Sequence, residues 1–245
     1  MWDYLFLGII QGIFEWLPIS SEGIVALASH FLVKDLNPID IALFLHLGTV
    51  FAVLIYFWKD WKEVFLLKNS KLLRFLIISS LISLSIGYPI YKLANNLIVG
   101  NTLLLVMGFG LLLTAYFHKT RKTFQIDFDK LAIITGFLQG LAVIPGLSRS
   151  GSTIFGLSLG KSTPSEMLKV SYMMSLPVVL VSSFYLFLKE PILVLEWWPA
   201  LISSFLVGIL SLHFLIKIVK KINFFKFALI FSSLCFLGAI IGFII

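Results

Sequence analysis

Charged residues are scarce in this chain. Only 13% of its 245 residues are Asp, Glu, Lys or Arg, whereas 59% are hydrophobic. Soluble domains carry about 25% charged residues and about 45–50% apolar residues, so the composition excludes a soluble globular domain. It predicts instead a polytopic membrane protein that forms one integral membrane domain over residues 1–245.

Cysteine and acidic residues are also few. The single cysteine, Cys235, excludes an intramolecular disulfide and a cysteine-based metal site. The N-terminus, Met1-Trp2-Asp3, lacks a basic region, so we expect no cleavable signal peptide. The net charge of +7 comes from basic residues in short clusters between apolar runs, which is typical of membrane-flanking loops. We therefore expect membrane lipids as partners and no nucleic acid.

The first apolar run is too short to cross a membrane. Residues 4–17 contain Gln11 and Glu15, and Pro18 interrupts the run before it could span about 30 Å of hydrocarbon. A second short run, 23–33, follows. Two half-length helices joined by a polar turn predict a re-entrant hairpin, which is tolerated only where protein shields it. Three full-length crossings are predicted next, near 40–58, 75–92 and 101–117, with a charged loop between the first two.

The same order of segments returns in the second half. A run broken at Pro145-Gly146 and a short run to Gly160 predict a second hairpin, and long segments follow near 167–188, 197–219 and 225–245. The stretch GIIQGIFEWLPISSEG at 8–23 aligns with GFLQGLAVIPGLSRSG at 136–151. We therefore predict an internal repeat with halves 1–120 and 128–245.

Counting crossings predicts the topology. A hairpin returns to its starting side and three crossings reach the other side, so the second half must be inverted. On this arrangement 15 basic residues lie on one side and 3 on the other, with Arg149 inside the membrane. The positive-inside rule then places both termini outside the cell membrane. The predicted fold is an all-α inverted repeat, each half containing one re-entrant helical hairpin and three transmembrane helices.

The first hairpin concentrates oxygen ligands. Gln11 and Glu15 are four residues apart and share a helix face, and Glu22 follows the turn just after Ser21. Such groups could hold Mg²⁺ or Ca²⁺ and activate a nucleophile. Alternatively, the two carboxylates face water at the membrane boundary, or one of them neutralises Arg149. A charge inside an apolar segment favours a functional role for Glu15, whereas for Glu22 the alternatives are evenly balanced.

The second hairpin is suited to an anion. Arg149 lies among Ser148, Ser150 and Thr153, in a Gly-rich turn that opens a helix. Exposed helix N-terminal amides favour anions, and Arg contacts phosphate oxygens bidentately. For Thr153, close packing of small residues between helices is an equally good explanation. For Arg149 it is a poor one, because a membrane-buried Arg is costly.

The motifs of the two hairpins resemble the signatures of a known protein family. LQGLAVIPGLSRSGST resembles the PGxSRSxxT signature of the undecaprenyl-diphosphate phosphatase family, also called the bacitracin-resistance family, and QGIFEWLPISSEG resembles its (E/Q)GxxExLPxSSxGH signature. The resemblance implies a membrane phosphatase that removes the terminal phosphate of a C55-type polyprenyl diphosphate so that the lipid carrier is reused. It also implies dependence on a divalent cation and action at the extracytoplasmic face. The oligomeric state is not predicted, and a homodimer stays open.

The resemblance also assigns residues. Glu15 matches a catalytic Glu, Ser21 a nucleophilic or metal-associated Ser, and Arg149 the phosphate-binding Arg. This chain departs from the signatures at Gln11 in place of Glu, Glu22 in place of Thr and Ile24 in place of His. The predicted catalytic residues are Glu15, Ser21, Glu22 and Arg149; the predicted phosphate ligands are Ser148, Arg149, Ser150 and Thr153; and the predicted ligands of Mg²⁺ or Ca²⁺ are Glu15 and Gln11.

Two alternatives remain open at this stage. Because Ile24 replaces the family His, Glu15 and Glu22 are the nearby bases for Ser21, and attack by water assisted by the cation is a variant. His46 lies in the first long crossing, where a packed, hydrogen-bonded histidine is at least as good an explanation as a functional one. The rival function is a transporter or flippase that binds the same phosphorylated lipid without hydrolysis.

Overall fold

The described part of the chain is helical. The computed structural model describes residues 2–17, 21–33, 37–97, 126–144, 147–160, 164–189 and 197–218, together with isolated positions between 102 and 116 and between 225 and 240. The helices with continuous bounds are α1 (Trp2–Phe14), α2 (Ser21–Leu32), α3 (Pro38–Tyr56), α4 (Trp58–Phe65), α5 (Ser70–Leu97), α6 (Phe128–Leu141), α7 (Arg149–Ser158), α8 (Pro164–Lys189) and α9 (Trp198–Ile218). The all-α fold is thereby confirmed.

Four of the described helices are long and apolar enough to cross a membrane. They are Ile39–Tyr56 in α3, Ser70–Leu93 in α5, Glu166–Lys189 in α8 and Trp198–Lys217 in α9, with 18 to 24 residues each. At 1.5 Å per residue these spans measure about 27–36 Å, which matches about 30 Å of hydrocarbon. Four predicted crossings are confirmed as helices. The other two, 101–117 and 225–245, lie largely outside the described residues.

Short helices occupy the two predicted hairpins. Helix α1 has 13 residues and α6 has 14, so each is only about 20 Å long. Helix α1 packs on α2, and α6 packs on α7. The helix breaks were predicted from Pro18 and from Pro145-Gly146, which lie outside the described residues. Both first arms end a few residues before these prolines, at Phe14 and Leu141.

One predicted loop is wrong in part. The charged segment after the first crossing contains the short helix α4, in which Trp61 and Val64 are buried. Trp61 and Val64 are three residues apart, so they share the face that packs on the core, while Lys59 and Lys62 are exposed. Four charged side chains among its eight residues hid this amphipathic pattern.

Small residues allow the two halves to pack closely. Helix α1 packs against α9, and α6 packs against α5. A Cβ atom added at Gly12 would lie 2.8 Å from the backbone nitrogen of Gly208, and one at Gly136 would lie 2.5 Å from the carbonyl oxygen of Ser79. Such glycine contacts are typical of membrane helices. The reciprocal pairing is what an internal repeat would produce, but the repeat and its boundaries stay a prediction.

Ion pairs mark both ends of the long helices. At one end Lys189 Nζ lies 2.8 Å from Asp40 Oδ2, and the hydroxyl of Tyr91 donates to Asp40 Oδ1. This cluster joins the start of α3 to the ends of α5 and α8, and we call its side of the molecule the Asp40 end.

The opposite side is the Arg74 end. Here Lys169 Nζ lies 2.7 Å from Asp60 Oδ1, and Arg74 pairs with Asp129. Helices α3, α5 and α8 each run from one end to the other. The distribution agrees with the predicted sides, because Lys189 belongs to the side with 3 basic residues. Which end faces the cytoplasm stays a prediction.

Candidate active site

The tips of the two hairpins are in contact. Glu15 directly follows α1, and Arg149 is the first residue of α7. Arg149 Nη2 forms an ion pair with Glu15 Oε1, and the two side chains are 14% and 3% exposed. The alternative that Glu15 faces water at a membrane boundary is therefore wrong. The alternative that Glu15 neutralises Arg149 agrees with this ion pair.

Glu15 is the centre of the polar cluster. Its second oxygen, Oε2, accepts hydrogen bonds from Gln11 Nε2 at 2.7 Å and from Ser21 Oγ at 2.7 Å. The same oxygen lies 3.1 Å from His46 Nε2. One buried carboxylate thus holds together three segments: the α1 arm, the start of α2 and the middle of α3.

Sequence reasoning did not assign His46 to the site. Its Nδ1 atom lies 2.7 Å from the carbonyl oxygen of Ala42, one turn earlier in α3. A carbonyl oxygen and a carboxylate oxygen both only accept, so Nδ1 donates to Ala42 and Nε2 donates to Glu15 Oε2, and each ring nitrogen carries a hydrogen. The position of His46 along α3 could not reveal this contact, which depends on how the first hairpin packs on α3.

Trp16 anchors the first tip. Its indole Nε1 donates to the carbonyl oxygen of Gly208 and to Ser211 Oγ, both at 2.9 Å. Its own carbonyl oxygen accepts from the hydroxyl of Tyr172 at 3.0 Å. The neighbour of Glu15 is therefore held by α8 and α9, and this limits how far the carboxylate can move.

The predicted hydroxyl ligands of the second hairpin bond within the protein. Ser148 caps α7, its Oγ accepting the backbone N–H three residues later at 3.1 Å. Ser150 Oγ donates to the carbonyl oxygen of Leu17 at 2.8 Å and so joins the two tips. Thr153 Oγ1 lies 2.6 Å from Ser171 Oγ. These contacts stabilise the tip that carries Arg149, and the roles of Ser148, Ser150 and Thr153 towards phosphate stay a prediction.

A cavity of about 300 Å³ adjoins the cluster. Its polar lining comes from Glu22, His46, Ser83, Gln139, Arg149 and Ser182, and most of the remaining wall is aliphatic or aromatic.

The cavity continues towards the Asp40 end. Its wall there includes Tyr88, Tyr91 and Tyr185, which pack edge to face. Tyr88 is 46% exposed and Val181 is 50% exposed, so the wall reaches the outer surface at α5 and α8. The shape suits an amphiphile with a charged group at the buried end and an apolar chain in the rest.

Three lining residues carry unsatisfied polar atoms. Among the described residues, Arg149 Nε, Glu22 Oε1 and Gln139 Oε1 are buried without a hydrogen-bond partner. Buried polar atoms are nearly always paired in native proteins, so these three point to a ligand. Gln139 was not predicted as a site residue. It aligns with Gln11 in the predicted repeat, where the shared GxxQG pattern served only as evidence of duplication.

The described residues contain no group of three His, Cys, Asp or Glu side chains placed to hold a metal ion. Of the two predicted ligands, Gln11 has a buried, unpartnered Oε1, whereas both oxygens of Glu15 accept from protein donors. Glu22 adds another unpartnered oxygen. Carbonyl and carboxylate oxygens are what Mg²⁺ and Ca²⁺ prefer, so the residues present fit a divalent cation. Binding to Glu15 and Gln11 stays a prediction.

Comparison with known proteins gives the family. The family model described as bacitracin resistance protein BacA matches residues 4–238. Proteins named undecaprenyl-diphosphatase are similar over nearly their whole length. That of Thermosipho africanus is 33% identical and covers 99% of both chains. Those of Sulfurisphaera tokodaii and Methanococcoides burtonii are 32% and 31% identical, covering 91% and 93% of this chain and 91% and 94% of their own. The chain therefore belongs to the bacitracin resistance protein BacA family.

Proposed function

We propose that this membrane protein hydrolyses undecaprenyl diphosphate to undecaprenyl phosphate and inorganic phosphate, as a phosphoric anhydride hydrolase. The observation that carries the proposal is the contact of Glu15 with Arg149 beside the polar end of an otherwise apolar cavity. The names of its relatives support the same reaction. A diphosphate joined to a long apolar chain matches the cavity in charge and in polarity.

The substrate lies with its diphosphate at Arg149 and its polyprenyl chain along the tyrosine-lined wall. The chain leaves where α5 and α8 expose Tyr88 and Val181, so that most of the lipid stays in the membrane. The cavity extends towards the Asp40 end, which the distribution of basic residues predicts to be extracytoplasmic. This supports action at that face.

Substrate binding rearranges the ion pair. Arg149 Nε has no protein partner among the described residues, and Nη2 pairs with Glu15. A diphosphate offers several charged oxygens to the planar guanidinium, which forms strong bidentate bonds with phosphate. Some of the guanidinium N–H groups of Arg149 then donate to the phosphate oxygens and stabilise the charge that develops during phosphoryl transfer. This shift frees Oε1 of Glu15.

Glu15 then serves as the proton acceptor. Ser21 Oγ already donates to Glu15 Oε2 at 2.7 Å, which aligns its hydroxyl for activation. In one route Ser21 attacks the terminal phosphorus, the bond to undecaprenyl phosphate breaks, and Glu15 takes the proton. Water then releases inorganic phosphate from the serine. In the other route water attacks directly and gives its proton to Glu15.

The predicted cation ligands lie in the same hairpin. Glu15 and Gln11 are proposed to hold Mg²⁺ or Ca²⁺, and a bound divalent cation offsets the negative charge of the diphosphate oxygens.

The function is tested by the products that the purified full-length protein forms. In proteoliposomes containing undecaprenyl diphosphate, we expect one inorganic phosphate for each substrate consumed, with undecaprenyl phosphate as the lipid product. Translocation of labelled polyprenyl phosphate is measured in parallel. Translocation without phosphate release would support a flippase and reject the hydrolase. Phosphate release without translocation would reject the transporter alternative.

His46 is expected to position Glu15 for this reaction. Replacing His46 with Leu removes the Nε2 contact at 3.1 Å, and we expect kcat to fall about 10²-fold while KM changes little, because a misplaced catalytic group impairs chemistry more than binding. His46→Gln should restore part of the loss, since its amide can also donate to Glu15. Steady-state phosphate release measures both constants.

His213→Gln is the matched control, because this exposed histidine of α9 contacts Tyr56 and lies outside the cluster. Unchanged kcat in His46→Leu, or an equal loss in the control, would remove His46 from the mechanism.

A further inference from the structure

Glu22 and Gln139 face one cavity from opposite hairpins. Glu22 lies in the first turn of α2, and Gln139 lies near the end of α6. Their exposed fractions are 8% and 3%, and each has an Oε1 atom without a hydrogen-bond partner in the described part of the structure. Two buried, unsatisfied oxygens on one cavity call for a ligand that accepts electron pairs or donates hydrogen.

The orientation of the Gln139 amide follows from its partners. Its Nε2 atom lies 3.3 Å from the carbonyl oxygen of Met174 and 3.3 Å from Ser83 Oγ. The carbonyl oxygen of Met174 only accepts, so the amide nitrogen must lie on that side. The Oε1 atom is left as the unsatisfied atom, and Gln139 therefore presents an acceptor, as Glu22 does.

A diphosphate cannot satisfy these atoms by itself. The following inference rests on the proposed function, in which the diphosphate lies at Arg149. An ionised diphosphate presents only acceptor oxygens. These suit Arg149 Nε, but they repel the carbonyl of Gln139 and the ionised form of the Glu22 carboxyl group at short range. A cation that lies between the diphosphate oxygens and the two side-chain oxygens offsets this repulsion. It also gives Glu22 Oε1 and Gln139 Oε1 the partner that they lack.

We propose that Glu22 and Gln139 bind a divalent cation that bridges the protein to the diphosphate. Mg²⁺ is typically held by one or two carboxylates together with substrate phosphates, and Ca²⁺ also takes amide carbonyls. The site differs from the one predicted at Glu15 and Gln11. Neither Glu15 nor Gln11 is among the described residues that line the cavity, whereas Glu22 and Gln139 are. Because each hairpin supplies one ligand, the cation also joins the two halves at the site.

Manganese binding tests the site without relying on turnover. The free Mn²⁺ signal in electron paramagnetic resonance gives the Kd for Mn²⁺ on purified full-length protein, alone and with methylenediphosphonate, which cannot be hydrolysed. With methylenediphosphonate present, we expect Glu22→Gln and Gln139→Leu each to raise Kd at least tenfold. Glu22→Asp keeps a carboxylate and should raise Kd less than Glu22→Gln does, a difference that a general loss of folding would not produce. Glu63→Gln, on the exposed face of α4, is the control and should leave Kd unchanged.

The outcomes separate the cation site from the proposed reaction. Unchanged Mn²⁺ affinity in both Glu22→Gln and Gln139→Leu would overturn the site. Gln11→Leu tests the other predicted site, and a loss of affinity in that variant alone would also overturn the site at Glu22 and Gln139. Phosphate release by the unmodified protein is measured on the same samples. If Mn²⁺ binding depends on Glu22 and Gln139 but no phosphate is released, the cation site stands and the hydrolase proposal fails. If phosphate is released but neither substitution changes Mn²⁺ affinity, the hydrolase proposal stands and the cation site is rejected.

Discussion

Replacing Arg149 with Gln is expected to lower kcat/KM for undecaprenyl diphosphate by about 10³-fold or more, the range over which a transition-state arginine contributes to phosphoryl transfer. The substitution removes the guanidinium that contacts Glu15 and borders the cavity. It also leaves the buried carboxylate of Glu15 without its guanidinium partner, which destabilises the cluster. Arg149→Lys keeps the charge but loses the planar fork, and we expect a loss of about 10²-fold.

Phosphate release from detergent-purified variants measures the effect of the Arg149 substitutions. The matched control is Arg74→Lys, because Arg74 forms an exposed ion pair with Asp129 at the far end of α5. Exposed pairs contribute about 0–1 kcal/mol, so activity should stay within twofold. If Arg149→Gln kept more than a tenth of the activity of the unmodified protein, Arg149 would not be the residue that binds and stabilises the phosphate.

Glu15→Gln is expected to lower kcat about 10²- to 10³-fold, because it removes the proposed proton acceptor of Ser21 while keeping the size of the side chain. With the cation held by Glu22 and Gln139 as proposed above, we expect KM to stay the same or to fall. Arg149 would no longer be held by a carboxylate, and its full donor set would be available to the diphosphate. A lower kcat without a higher KM separates a chemical role for Glu15 from loss of substrate binding.

The control for Glu15 is Asp60→Asn, which breaks the partly exposed ion pair with Lys169 at the Arg74 end. A double variant adds a second test: because Glu15 and Arg149 act as a unit, Glu15→Gln combined with Arg149→Gln should lose far less than the product of the single losses. Strict additivity, or a rise in KM that accounts for the whole effect of Glu15→Gln, would contradict the proposed role.

Much of the fold was predictable because a membrane leaves few choices. Every backbone polar group must be satisfied within lipid, so apolar runs of about 20 residues become helices, as in α3, α5, α8 and α9. A run that stops after 13 residues, as α1 does, is too short to cross by itself, and α1 packs on α2 as the predicted hairpin requires. Helix α4 was missed because its buried face rests on Trp61 and Val64 among charged neighbours.

The candidate site was only half predictable. Glu15 and Arg149 stood out because a charge in an apolar segment is costly and needs a reason. His46 and Gln139 did not stand out, because a polar neutral side chain in a membrane helix is explained equally well by packing. The phosphate-binding role of Ser150 stays a prediction, but its hydrogen bond to the carbonyl oxygen of Leu17 was not predicted, because no pattern in the second hairpin could indicate that partner.

The amino-acid sequence by itself determined the all-α membrane fold, the two short hairpins and the charged residues at their tips, because hydrocarbon thickness and the cost of buried charge act on each segment separately. Only the tertiary structure decided which side chains meet across segments: His46 against Glu15, and Glu22 with Gln139 on one cavity. These pairings depend on the rotation and depth of each helix, which small residues such as Gly12 and Gly136 set through close backbone contacts between helices.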